Sequence, residues 1–198
     1  IKAPPNATCA IPIKASTGQE QEVCGQVLDA NLAHSVICKY GPARMRPHRY
    51  MAAALGTCLR EAGAECWHRP KKMELSGKLY LTFTSFFPGS TSPFYIDVTI
   101  RCPHAVRYPA TATTPGFAAA QGVLEKAERY GTQVIAISIE TYGRFATGRM
   151  AGLDFLAARA ADQLRDRLAE PRLLPEWRAT IARAVIYATA DIDLVCLG

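Results

Sequence analysis

The spacing of apolar and polar positions divides this chain into a short unpatterned segment and a long patterned one. Between residues 48 and 62, Met51, Leu55, Cys58, Leu59 and Ala62 recur at three- and four-residue intervals, and Gly63 closes the run. That spacing predicts a helix with one buried face. Pro47 stands where the first turn of a helix tolerates a missing N–H. Residues 64–67 form a short strand candidate. Residues 78–87 alternate and are rich in aromatic and β-branched side chains, which predicts a strand. The Pro-Gly-Ser-Thr-Ser-Pro run at 88–93 is a loop by composition, so 78–87 and 94–101 are expected to pair as a hairpin. A Pro- and Thr-rich connection over 102–116 leads to a helix over 117–129. Residues 133–140 are almost all apolar, the mark of a strand covered on both faces. Residues 150–168 place Leu153, Leu156, Ala160, Leu164 and Leu168 on one side of a helix. Pro171 and Pro175 are expected to break it before a last helix over 176–190. From residue 48 the order is α-β-β-β-α-β-α-α, a mixed α/β domain.

Residues 1–43 carry no long periodic element, with room only for a short helix within 26–38. What they carry instead is Cys9, Cys24, His34 and Cys38. Cys24, His34 and Cys38 have a C-x9-H-x3-C spacing suited to zinc. A structural zinc ion usually takes four ligands, and Cys9 is the leading fourth candidate. The competing reading makes Cys24 and Cys38 small core residues and His34 a surface helix residue. The expected division is a Cys/His segment over 1–43 and an α/β domain over 44–198.

Asp97 sits at the centre of the apolar run Phe94-Tyr95-Ile96-Asp97-Val98-Thr99-Ile100. A charge there is costly unless it is paired or binds a metal. The following helix carries Lys126 and, one turn on and on the same face, Tyr130. The next strand ends in Glu140. The plain alternative for Asp97 is an edge-strand or hydrogen-bonded residue, and for Lys126 a solvated helix face.

These pieces, in this order, resemble the restriction-endonuclease-like, or PD-(D/E)XK, nucleases. More closely, they resemble the region of site-specific non-LTR retrotransposon proteins in which a zinc knuckle precedes a restriction-like endonuclease domain. Cys24-Gly25 with His34 and Cys38 resembles the knuckle. Arg46-Pro47-His48 resembles that family's Arg-x-His helix start, and Tyr95-Ile96-Asp97-Val98-Thr99 its central acidic strand. Lys126 and Tyr130 match its Lys-x-x-x-Tyr helix, and Ile139-Glu140-Thr141-Tyr142-Gly143 its Glu-Thr-aromatic-Gly strand end. The resemblance spans roughly residues 20–190. It implies an αβββαβ core with extra C-terminal helices and a small N-terminal knuckle. It also implies a metal-dependent DNA endonuclease that nicks target DNA for retrotransposon insertion. Asp97 and Glu140 would hold Mg²⁺ or Mn²⁺, Lys126 and Tyr130 would serve the attacking water and the phosphate, and His48 is a remoter candidate for the base.

Two departures bear on this. The family's first catalytic acid belongs on the strand before Asp97, where Leu79-Tyr80-Leu81-Thr82-Phe83-Thr84-Ser85 holds no carboxylate; Glu74 is the nearest. In a domain that has lost cleavage, Thr84 or Ser85 is expected in the acid's place. Glu22 stands where the knuckle's first cysteine belongs. The alternative function is therefore a catalytically degenerate nuclease fold, kept as a nucleic-acid-binding or scaffold module in a larger complex.

Composition adds modest constraints. The 198 residues are 49% hydrophobic and 20% charged, with a formal net charge of +6 and a pI near 9.0. The basic balance favours a polyanionic partner, DNA or RNA. Arg46, Arg49, Arg69, Lys71, Lys72, Arg101 and Arg129 are the expected phosphate contacts, with Tyr108, Tyr142 and Phe145 placed to stack on splayed bases; a solvated charge face explains the same cations. Other domains of a longer polyprotein or a ribonucleoprotein are the expected protein partners. No apolar run reaches the ~20 residues a membrane helix needs. Seven cysteines, an odd number with Cys58 and Cys102 inside apolar patterns, suit a nuclear or other reducing compartment with free or metal-bound thiols.

Overall fold

The computed structural model describes residues 2–13, 23–30, 32–38, 40, 45–68, 81–146, 152–164 and 170–197. It is a mixed α/β structure. Five α-helices lie among these residues: α1 (Ala33–Ile37), α2 (Arg46–Glu61), α3 (Phe117–Tyr130), α4 (Gly152–Gln163) and α5 (Glu170–Leu197). The strands are β1 (Glu65–His68), β2 (Phe83–Phe86), β3 (Phe94–Arg101) and β4 (Val134–Glu140). They form one sheet in the order β1-β2-β3-β4. The first two pairings are antiparallel and the last is parallel. A parallel neighbour needs a crossover, and α3 supplies it.

Side-chain alternation along β3 and β4 decides which helix covers which face. Ile96, Val98, Ile137 and Ile139 point to one side. There they meet Met51, Leu55 and Leu59 of α2, Leu153 and Leu156 of α4, and Trp177, Ile181 and Val185 of α5. Each such side chain taken out of water contributes about 1.5–3 kcal/mol, so this face carries most of the core. Asp97, Thr99, Ala136, Ser138 and Glu140 point to the other side, under α3. That interface is thin and polar, with only Ala119, Val123, Ala136 and Ala146 in its apolar cluster. Gly122 permits the close approach: a Cβ there would stand 2.5 Å from Ser138 Oγ and 3.0 Å from Arg101 Nε.

Two sequence expectations need correction. The last helix does not wait for Pro175; α5 already runs from Glu170 and contains Pro175. Pro175 is the sixth residue of α5 and so forgoes one intrahelical bond, to the carbonyl of residue 171; Pro171, the second residue, forgoes none, because the first four N–H groups have no intrahelical acceptor. Among the described residues β2 runs over Phe83–Phe86, and Thr82 extends the pairing by one bond from its N–H to the Ile96 carbonyl at 3.1 Å. Residues 69–80, including Arg69, Lys71, Lys72 and Glu74, lie outside them, as do Glu22 and residues 147–151 and 165–169. No helix among the described residues is long and apolar enough to cross a membrane.

The N-terminal segment does not hang free of the α/β domain. Ile192 and Cys196 of α5 share an apolar cluster with Cys9, Ile11, Leu28, Leu32 and Cys38. Ala10 N–H donates to the Cys196 carbonyl at 2.8 Å, and the Ser35 hydroxyl donates to Asp193.

Candidate metal centre and the buried Asp97–Lys126 pair

A short antiparallel ribbon builds half of the Cys/His cluster. Thr8 bridges Val27 and Pro12 bridges Val23. Between them Cys9 N–H donates to Gln26 O (2.8 Å), Gly25 N–H to Cys9 O (3.0 Å) and Cys24 N–H to Ile11 O (2.9 Å). Gly25 has φ +66°, a conformation glycine adopts without penalty, and it turns the ribbon at Cys24. The other half comes from α1, which carries His34 and ends at Cys38.

Cys9, Cys24, His34 and Cys38 offer donor atoms that all lie within 4.8 Å of one another. Cys24 Sγ is 3.4 Å from His34 Nε2, and Cys9 Sγ is 4.0 Å from Cys38 Sγ. Tetrahedral zinc, with Zn–S near 2.3 Å and Zn–N near 2.0 Å, needs donor separations of about 3.5–3.8 Å. The cluster fits a Cys3His metal site with small side-chain adjustments. Cys9 is the fourth donor that the sequence left as a candidate. Burial pushes the Cys9 and Cys38 thiols above the ordinary value of 9.0, so without a cation these sulfurs stay protonated. A metal that replaces their protons is the chemistry that makes thiolates favourable there.

One participant has no sequence signal. Cys196 Sγ, fully buried, lies 3.1 Å from Cys9 Sγ with its thiol as donor. It is 158 residues from Cys38, so no motif spacing could include it. The hint available was Ile192 and Cys196 at helical i, i+4 spacing near the end of α5. A group that hydrogen-bonds a ligand thiolate typically tunes metal affinity by 10- to 100-fold. Cys196→Ala is therefore expected to weaken zinc binding by about that factor, and Cys196→Ser, which keeps a donor, to weaken it much less. Competition against a chromophoric chelator reads both; equal affinities across the series would reduce Cys196 to packing.

The second cluster lies under α3. Lys126 Nζ contacts Asp97 Oδ2 at 2.5 Å, with side-chain exposures of 18% and 5%. Thr82 Oγ1 donates to Asp97 Oδ1 at 3.0 Å and accepts Val98 N–H at 3.1 Å. Lys126 Nζ stands 5.3 Å from the Tyr130 ring centre, as does Arg129 Cζ. Asp97, Lys126 and Tyr130 are thus brought together as expected.

Glu140 is not brought to them. The β3–β4 register sets Asp97 opposite Ala136 and Arg101 opposite Glu140, which puts Glu140 about 13 Å along the strand from Asp97 at ~3.3 Å per residue. Glu140 is buried and accepts the Ala118 N–H at the start of α3 (3.2 Å). An Asp97–Glu140 pair for Mg²⁺ or Mn²⁺ is therefore not formed. The position facing Asp97 is also corrected: register puts Thr84 opposite Tyr95 and Ser85 opposite Phe94, so the residue in the acid's place is Thr82. His48 belongs to α2, which packs on the opposite face of the sheet. Of the expected phosphate contacts among the described residues, Arg46 and Arg49 open α2 and Arg129 lies near the end of α3. Arg101 is ion-paired with Glu125.

No protein-family model matches this chain, and a search of curated proteins returns no match.

Proposed function

We propose that this chain is a metal-stabilised nucleic-acid-binding module built on a restriction-endonuclease-like scaffold that has lost cleavage. The observation that carries the reading is the state of Asp97. Both carboxylate oxygens are engaged, one by the Lys126 ammonium and one by the Thr82 hydroxyl, at 3% exposure. A hard divalent cation needs several oxygen ligands and usually more than one carboxylate. Here the neighbouring strand supplies a hydroxyl and the next acid, Glu140, is turned to the start of α3. Lys126 neutralises the aspartate that would otherwise hold the metal. The αβββαβ order and the Asp97, Lys126 and Tyr130 arrangement support the scaffold half of the reading. The net charge of +6 supports the polyanion half, and the Cys3His cluster supports zinc as the structural ion.

The expected result is no nicking of supercoiled plasmid by the zinc-loaded protein with Mg²⁺ or Mn²⁺, alongside a salt-sensitive gel shift with DNA or RNA. Lys126→Met should leave that shift in place wherever it folds. Mg²⁺-dependent nicking that disappears in Asp97→Ala would instead make this a working nuclease with a rearranged site.

A further inference from the structure

At the carboxyl ends of the parallel strands β3 and β4, well away from Asp97, two cavities of about 440 and 490 Å³ share Ala105 and Tyr108 in their walls. Their linings differ in chemistry. The first holds Arg101, Arg107 and Thr141. Arg101 and Arg107 converge on a single carboxylate, Glu125, with Arg107 Nη1 3.9 Å from it and Tyr108 Oη donating to it at 3.4 Å. Two guanidiniums on one carboxylate leave one positive charge over. The Thr141 hydroxyl is buried in that wall beside the Cys102 thiol; burial raises that thiol's pKa, and its contact with Thr141 partly offsets the rise. The second cavity holds His104, Tyr142, Arg144 and Glu140. Tyr142 is 44% exposed and meets the His104 ring edge-on at 5.6 Å. Glu140 offers a buried carboxylate that accepts the Ala118 N–H.

An anion-binding chamber beside a chamber with an aromatic face and a carboxylate acceptor matches the parts of one nucleotide. The ends of parallel strands are also where open α/β sheets place their ligands. We infer that this double cavity takes a single splayed nucleotide of single-stranded nucleic acid. Its phosphate faces Arg101 and Arg107, its base lies on Tyr142, and its exocyclic amine donates to Glu140. A duplex cannot insert a stacked, paired base into such a recess, so single strands are preferred. A carboxylate accepts from the cytosine amino group and repels the carbonyl edge of thymine, so cytosine is preferred over thymine. This inference rests on the nucleic-acid reading above and moves the contact surface from the Asp97 pair to the strand ends.

The test is a fluorescence-anisotropy titration of the zinc-loaded chain with a short deoxycytidine homopolymer, a deoxythymidine homopolymer and a duplex of equal length. Tyr142→Leu and Arg107→Gln alter exposed side chains, and Glu140→Gln alters the buried one. The deoxycytidine strand should bind tightest. Tyr142→Leu should weaken single-strand binding about 5- to 100-fold, as lost stacking predicts. Arg107→Gln should weaken every oligomer similarly and lower the salt slope by about one. Glu140→Gln should remove the cytosine preference. Duplex binding that is tightest and indifferent to Tyr142→Leu would overturn the nucleotide cavity while leaving nucleic-acid binding intact. Absence of binding to any of the three would overturn both.

Discussion

Chelating the metal proposed for the Cys3His cluster is expected to unfold the described N-terminal residues and loosen the last turns of α5, while the sheet and its α2–α4–α5 face persist. The donor atoms of Cys9, Cys24, His34 and Cys38 converge from a ribbon and a five-residue helix. Neither element is long enough to be stable alone. The apolar cluster that surrounds them is small: Ile11, Leu28, Leu32 and Ile192 are its largest buried members. In zinc-finger peptides the apparent free energy of metal binding is about 10–16 kcal/mol and is folding free energy, at least comparable with the ~6–12 kcal/mol that burying four such side chains contributes. Hydrogen exchange should show protection lost at 7–11, 23–38 and 190–197 after chelation, and retained in β3, β4 and residues 177–185 of α5. Cys38→Ala should bind less than one zinc per chain and show the same pattern without a chelator. A fully protected N-terminal segment in the metal-free protein would remove the metal from the account.

How much of this was legible beforehand follows from which interactions are local. The helix α2, the strands β3 and β4, and the helix α3 fall almost where apolar spacing puts them, because their buried faces are written in consecutive residues. The partnership of Asp97, Lys126 and Tyr130 was legible through the resemblance, whose motifs put the acid on a strand and the lysine and tyrosine on the helix that follows it. Three things were not. Strand register is a property of pairing, and it alone puts Thr82 rather than Thr84 or Ser85 against Asp97 and carries Glu140 away from it. The fourth sulfur, Cys196, meets Cys9 across most of the chain's length. The cavity beside Arg101, Arg107 and Tyr142 depends on how the 102–116 connection folds back, and a stretch without periodicity carries no signal for that.

Replacing Lys126 with methionine is expected to destabilise the α/β domain by about 3–5 kcal/mol, because it strands an uncompensated carboxylate at a buried position. Methionine keeps the unbranched apolar stem of the lysine, one atom shorter, and removes the charge together with the cation–π contact to Tyr130. Thr82 still satisfies Oδ1 of Asp97, but Oδ2 loses its cation under a helix that admits little water. The neutral partner tests the argument: Asp97→Asn retains an acceptor for Thr82 and carries no charge. The double substitution Asp97→Asn with Lys126→Met should recover at least half of the loss, a coupling that two independent sites would not show. Urea unfolding followed at constant m-value measures each term. A loss below about 1 kcal/mol for Lys126→Met would match an exposed ion pair and contradict the burial of Asp97. A large loss that the second substitution fails to repair would assign the lysine a packing role. Strong coupling between the two would mean that Lys126 serves as the buried counter-ion of Asp97.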